Sequence, residues 1–158
     1  MLGFAMKSCT NFLLAALVAA TCLLTTGCHT VSPATVTDAK QLLGKKQVFL
    51  VLSPRKDRGF RKEIERNLTA RGFTVTVGKR EEMGAVAELF LEYDDRWAWD
   101  MVMYPSQVKI AIYNAATRTL IGSAEFKNSV FHTYADPPEI TDELIGRIFG
   151  EPEGRYIK

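Results

Sequence analysis

The chain has 158 residues, 47% of them hydrophobic and 24% charged, with a formal net charge of +2 at neutral pH. That length suits one ordinary domain and excludes two, and the composition is that of a globular protein rather than a disordered one. Near-balanced charge gives no electrostatic reason to expect nucleic acid, whose binders concentrate basic charge on one face. All three cysteines (Cys9, Cys22 and Cys28) lie at the amino end, so the rest of the chain has no thiol for a disulfide or a zinc site.

Residues 12–24 (FLLAALVAATCLL) form an apolar run of 13. A spanning helix needs roughly 20 such residues, whereas the core of a signal peptide needs about this many. Lys7 supplies the positive flank, and Met6-Lys7-Ser8 is itself a typical signal start, so Met6 is the expected initiator. The run ends in Leu23-Leu24-Thr25-Thr26-Gly27-Cys28, which resembles the lipobox of bacterial lipoproteins. Small residues there let an intramembrane peptidase grip the backbone, and the cysteine sulfur takes a diacylglyceryl group as a thioether. One departure is Thr25, where Leu is usual. The resemblance implies removal of residues 1–27 as a signal peptide and lipid attachment at Cys28. Two or three acyl chains make such attachment effectively permanent, where one would be marginal. His29, rather than Asp, would follow the lipidated cysteine, which by the sorting rule of such lipoproteins implies the outer membrane. An ordinary secretory signal cut near Ala20 remains the alternative.

Residues 28–44, the lipidated end followed by a polar, Thr-rich stretch broken by Pro33, read as a flexible tether. A single domain is expected over residues 45–151, with a short tail at 152–158. Residues 47–52 (QVFLVL) are short, apolar and β-rich, and end at Ser53-Pro54, which predicts a buried strand. Over residues 58–71, Phe60, Ile64 and Leu68 recur at helical spacing, and Gly72 stands where a left-handed cap belongs. Residues 73–77 alternate as a second strand, which so short a crossover should leave parallel to the first, with a right-handed connection. A third strand is expected at 87–93 and a fourth through Val108, Ile110 and Ile112. A turn at 114–117 then returns a fifth at 119–126. Asp136-Pro137-Pro138-Glu139 is a helix start, with a capping Asp, Pro in the first turn and Glu closing a capping box. Ile140, Leu144 and Ile148 form its stripe. The expected fold is α/β (α+β), a two-layer sandwich with a mixed sheet of about five strands (β-α-β-β-β-β-α) and two helices.

Residues 92–104 (EYDDRWAWDMVMY) hold both tryptophans, four carboxylates and two of the five methionines. If the third strand continues through them, Tyr93, Asp95, Trp97 and Trp99 share one face, and Glu92, Asp94, Arg96 and Ala98 the other. Two readings follow. The aromatic face packs as core, or Trp97, Trp99 and Tyr104 form an exposed surface for a lipid, sugar or peptide partner. Asp94, Asp95 and Asp100, with His132, are the only carboxylate and imidazole groups that suggest hydrolytic or metal chemistry. Alternation divides the three aspartates between faces, and one histidine makes neither a triad nor a usual zinc site. Gly44-Lys45-Lys46 lacks the upstream glycine of a phosphate loop.

Residues 96–104 (RWAWDMVMY), followed by the alternating strand at 108–113, resemble a family of small proteobacterial lipoproteins of unknown function. The early VFL strand, the Gly72-Phe73-Thr74-Val75 strand after a helix, and the last helix at 140–149 extend the likeness over residues 20–150. Its most specific part is the Trp-x-Trp-Asp segment. The family implies location and fold, and no activity, cofactor or catalytic residue. The expectation is therefore a non-enzymatic outer-membrane lipoprotein anchored by lipid on Cys28. Its domain would face the periplasm and bind an envelope protein or glycan. The rival is a periplasmic hydrolase or ligand-binding enzyme built on Asp94, Asp95, Asp100 and His132.

Overall fold

The computed structural model describes residues 29–36, 38–128 and 134–151. Cys28, the proposed signal peptide, His132 and the tail at 152–158 lie outside the described residues. The elements in chain order are β1 (His29–Val36), β2 (Gln47–Val51), α1 (Phe60–Ala70), β3 (Thr74–Gly78), β4 (Leu89–Asp100), β5 (Val102–Asn114), β6 (Leu120–Asn128) and α2 (Pro137–Ile148). Short 3-10 turns at Ala39–Leu42 and Arg80–Glu82 connect them. All six strands share one mixed sheet in the order β1-β6-β5-β4-β2-β3. β2 is parallel to both β3 and β4, and the other pairs are antiparallel.

The α+β class and the two-layer arrangement hold, because alternation sorts each strand into a helix face and an open face. Val48, Leu50, Leu89, Leu91, Val108, Ile110, Ile112, Ala124 and Phe126 point toward the helices. There they meet Phe60, Ile64 and Leu68 of α1, each fully buried, and Ile140, Leu144, Ile145 and Ile148 of α2. The helix ends follow local chemistry. Gly72 takes φ +84° after α1, and Asp136 accepts a hydrogen bond from the Glu139 N–H at 3.1 Å to open α2. Between the helices, Asn67 and Arg66 donate to Asp142, while Arg71 donates to Asn67 and Glu151, so this buried polar layer is paired. On the open face Phe49 lies beside Phe90, which stacks on Tyr113 with centroids 4.7 Å apart, and the Arg80 guanidinium lies 5.2 Å above Phe90.

Two expectations need correction. The sheet has six strands, not five, because His29–Val36 is not a tether: it pairs along β6 as the edge strand β1. Its ladder shifts register between Ser32 and Thr35, around Pro33, whose missing N–H an edge strand tolerates. The third strand also does not stop at residue 93. β4 runs on to Asp100, and β5 begins at Val102. The two form a long hairpin that turns on Met101, with φ +60°.

Candidate functional site

Three features come together at one end of the sheet. β2 runs parallel to β4, so the loop leaving β2 at residues 52–59 emerges at the end where β4 finishes. β5 starts at that end, and antiparallel pairing brings the close of β6 and the start of β1 there too. The 52–59 loop, the β4–β5 hairpin tip and the first residue of β1 therefore share one pole of the molecule.

Along the helix face of β4, burial fades toward the tip. Leu89 and Leu91 are fully buried, Tyr93 and Asp95 nearly so, Trp97 is half-buried, and Trp99 is 71% exposed. Helix α1 sets this gradient, since its first residue, Phe60, packs its ring 5.9 Å from Trp97. Among the described residues, the helix layer leaves Trp99 uncovered. The core and surface readings of the aromatic stretch thus each describe one tryptophan. Trp97 seals the edge of the core, and Trp99 is surface. Tyr104, on the open face, meets Tyr134 edge-on at 6.0 Å.

Behind the tip lies a basic concavity of about 430 Å³, lined by Arg55, Lys56, Arg58, Asp95, Arg96 and Trp97. The Arg58 guanidinium sits 5.5 Å over the Trp97 ring, a cation–π contact. Arg55 donates to the Asp95 carbonyl at 2.9 Å and pairs with Asp94 at 3.2 Å. The buried Asp95 carboxylate accepts from Trp97 Nε1 at 2.5 Å, and its Oδ1 has no partner among the described residues. Burial, with the nearby Asp57 and Asp95 charges, pushes the Tyr93 phenol up to about 12. Sequence reading did not attach Arg55, Lys56 and Arg58 to this site. Their density in the PRKDR run was visible, but their nearness to Trp97 needed the parallel pairing of β2 with β4.

The suspected catalytic carboxylates do not converge. Asp95 faces the helices, whereas Asp94 and Asp100 point to the other side of the same strand. Among the described residues no three His, Cys, Asp or Glu side chains could hold a metal ion. No helix among them is long and apolar enough to cross a membrane.

No protein-family model matches the chain, and no curated protein matches it. Among solved structures it is similar to the PelC dodecamer from Paraburkholderia phytofirmans, at 14% identity and TM-score 0.52 over 77% of this chain and 94% of that one. A variant of the same dodecamer aligns at 14% identity and TM-score 0.49 over 78% and 95%. TolB from Acinetobacter baumannii aligns at 11% identity and TM-score 0.45 over 77% of this chain and 31% of that one. At these identities the likeness is one of fold alone.

Proposed function

We propose that the protein is an outer-membrane lipoprotein, held by lipid on Cys28, whose α+β domain faces the periplasm as a non-enzymatic binding or accessory module. The observation that carries this reading is the pattern of the amino end, where Lys7 precedes an apolar run of 13 residues that closes on the small residues Thr26-Gly27 before Cys28. The apolar run upstream has the length of a signal peptide and not of a membrane span. The membrane lipid is one partner, through the acyl chains, and an envelope protein or glycan is the other. The separation of Asp94 and Asp100 from Asp95 favours this reading over a hydrolytic centre shared by the three aspartates. The likeness to the small proteobacterial lipoproteins points the same way.

Metabolic labelling with a palmitate analogue tests the proposal. The wild-type chain is expected to take up label, and Cys28→Ala to take up none and to remain as the longer precursor. Equal labelling of the two proteins would overturn it.

A further inference from the structure

The hairpin tip carries an apolar group, interrupted by the exposed Asp100, that the described residues leave uncovered. Trp99 is 71% exposed, Met101 87%, Val102 57% and Met103 39%. Register places Trp99 opposite Met103 on the helix face and Val102 opposite Asp100 on the open face, with Met101 at the apex. Apolar groups thus cover the apex and reach both faces of a two-stranded projection. A flat protein partner could bury only one of those faces, whereas a lipid layer surrounds a projection on all sides.

The position of the tip supports the same occupant. His29 pairs with Asn128, whose side chain donates to the Pro105 carbonyl at 3.2 Å. The start of β1 is therefore level with Pro105, two strands away, or about 10 Å at the usual spacing between strands. Met101 lies four residues beyond Pro105, roughly 13 Å along the strand at 3.3 Å per residue. The tip thus projects beyond the start of β1 by a distance of the same order as the roughly 5–10 Å by which interfacial apolar segments sink below the headgroups. Behind the tip stand Arg55, Lys56, Arg58 and Arg96. Arg55 and Arg96 share Asp94, while Lys56 and Arg58 are exposed and have no carboxylate partner among the described residues.

From this geometry we infer that the β4–β5 tip is a second membrane contact. Trp99, Met101, Val102 and Met103 enter the interfacial layer of the leaflet that holds the Cys28 lipid, with Lys56 and Arg58 facing its anionic phosphates. Tryptophan favours this layer because its ring is apolar and its N–H is polar. The inference rests on the lipoprotein reading for the identity of the leaflet. It adds an orientation, in which the domain lies with this pole against the bilayer instead of swinging on a tether.

The test uses full-length protein, purified with its native N-terminus and reconstituted into vesicles of phosphatidylethanolamine and phosphatidylglycerol. Trp97→Phe leaves Trp99 as the sole tryptophan. Its emission is expected to shift to the blue and to fall when the acyl chains carry bromine. A second variant, Trp99→Phe, guards against a misfolded Trp97→Phe, since the bromine-dependent loss seen in wild type must vanish in it. Emission as in water, quenched by iodide and indifferent to bromine, overturns the contact. So does a Trp99 shielded from iodide yet untouched by bromine, which would mark a second copy or another protein there. The palmitate label on the same preparations reports the anchor separately. Labelled protein with unquenched Trp99 overturns the tip contact and leaves the lipoprotein reading standing. Unlabelled protein with quenched Trp99 sustains the contact and overturns the lipoprotein reading.

Discussion

Trp97 and Trp99 stand two residues apart on one face of one strand, yet their surroundings differ in kind. Trp97 has Phe60 beside it, the Arg58 guanidinium over its ring and Asp95 on its N–H. Trp99 has its hairpin partner Met103 opposite and is 71% exposed. Truncating a fully buried aromatic costs roughly 3–5 kcal/mol, and the half-burial of Trp97 places Trp97→Ala near 2–3 kcal/mol. Trp99→Ala is expected to fall within about 0.5 kcal/mol of wild type, as for other surface changes. Urea melts of the detergent-solubilised protein check the pair, and equal losses would mean that the burial gradient along β4 is wrong. Alternation showed which face the tryptophans share, and could not show where the helix above that face begins.

At the scale of elements, the chain was most legible where apolar spacing and end chemistry agree. β2, α1 and α2 lie within a few residues of their expected bounds because Phe60, Ile64 and Leu68, or Asp136 and the two prolines, allow few alternatives. β1 was illegible for the opposite reason. HTVSPATV has no sustained apolar alternation and contains a proline, and what makes it a strand is the open edge of β6, a long-range pairing its own residues do not announce. The β4–β5 turn was hidden likewise, because Met101 takes a left-handed conformation usually marked by Gly or Asn. The candidate site suffered most, since its basic part comes from a loop some forty residues from Trp97.

One tie between elements gives a pH test. The Glu88 carboxylate, just before β4, accepts from the backbone N–H groups of Lys46 at 2.7 Å and Gln47 at 3.1 Å, with Lys45 Nζ at 3.4 Å. These hydrogen bonds lower its pKa from the ordinary carboxylate value, those from the Lys46 and Gln47 N–H groups foremost. A carboxylate with a depressed folded pKa stabilises above its unfolded value and loses that contribution as pH falls through the folded one. Glu88→Gln should therefore unfold at lower urea than wild type at pH 7. The gap should close as pH drops below the usual carboxylate range. A gap unchanged at acid pH would mean that the charge on Glu88 plays no part.

For the whole molecule, the strand order decides what the domain presents and where. Both helices cover one face of the sheet, β3 and β1 form its edges, and the hairpin tip, the basic loop and the start of β1 share one pole. Lipid on Cys28 would then sit at the root of an edge strand and draw that pole to the bilayer, leaving the opposite pole and the open face for an envelope partner. The proposed anchor depends on how the amino terminus is processed. Intact-mass spectrometry of the protein extracted from envelopes measures that directly. The account predicts a chain that starts at Cys28 and carries a diacylglyceryl group on its sulfur. An unmodified amino terminus, whether at Cys28 or near Ala20, would contradict it.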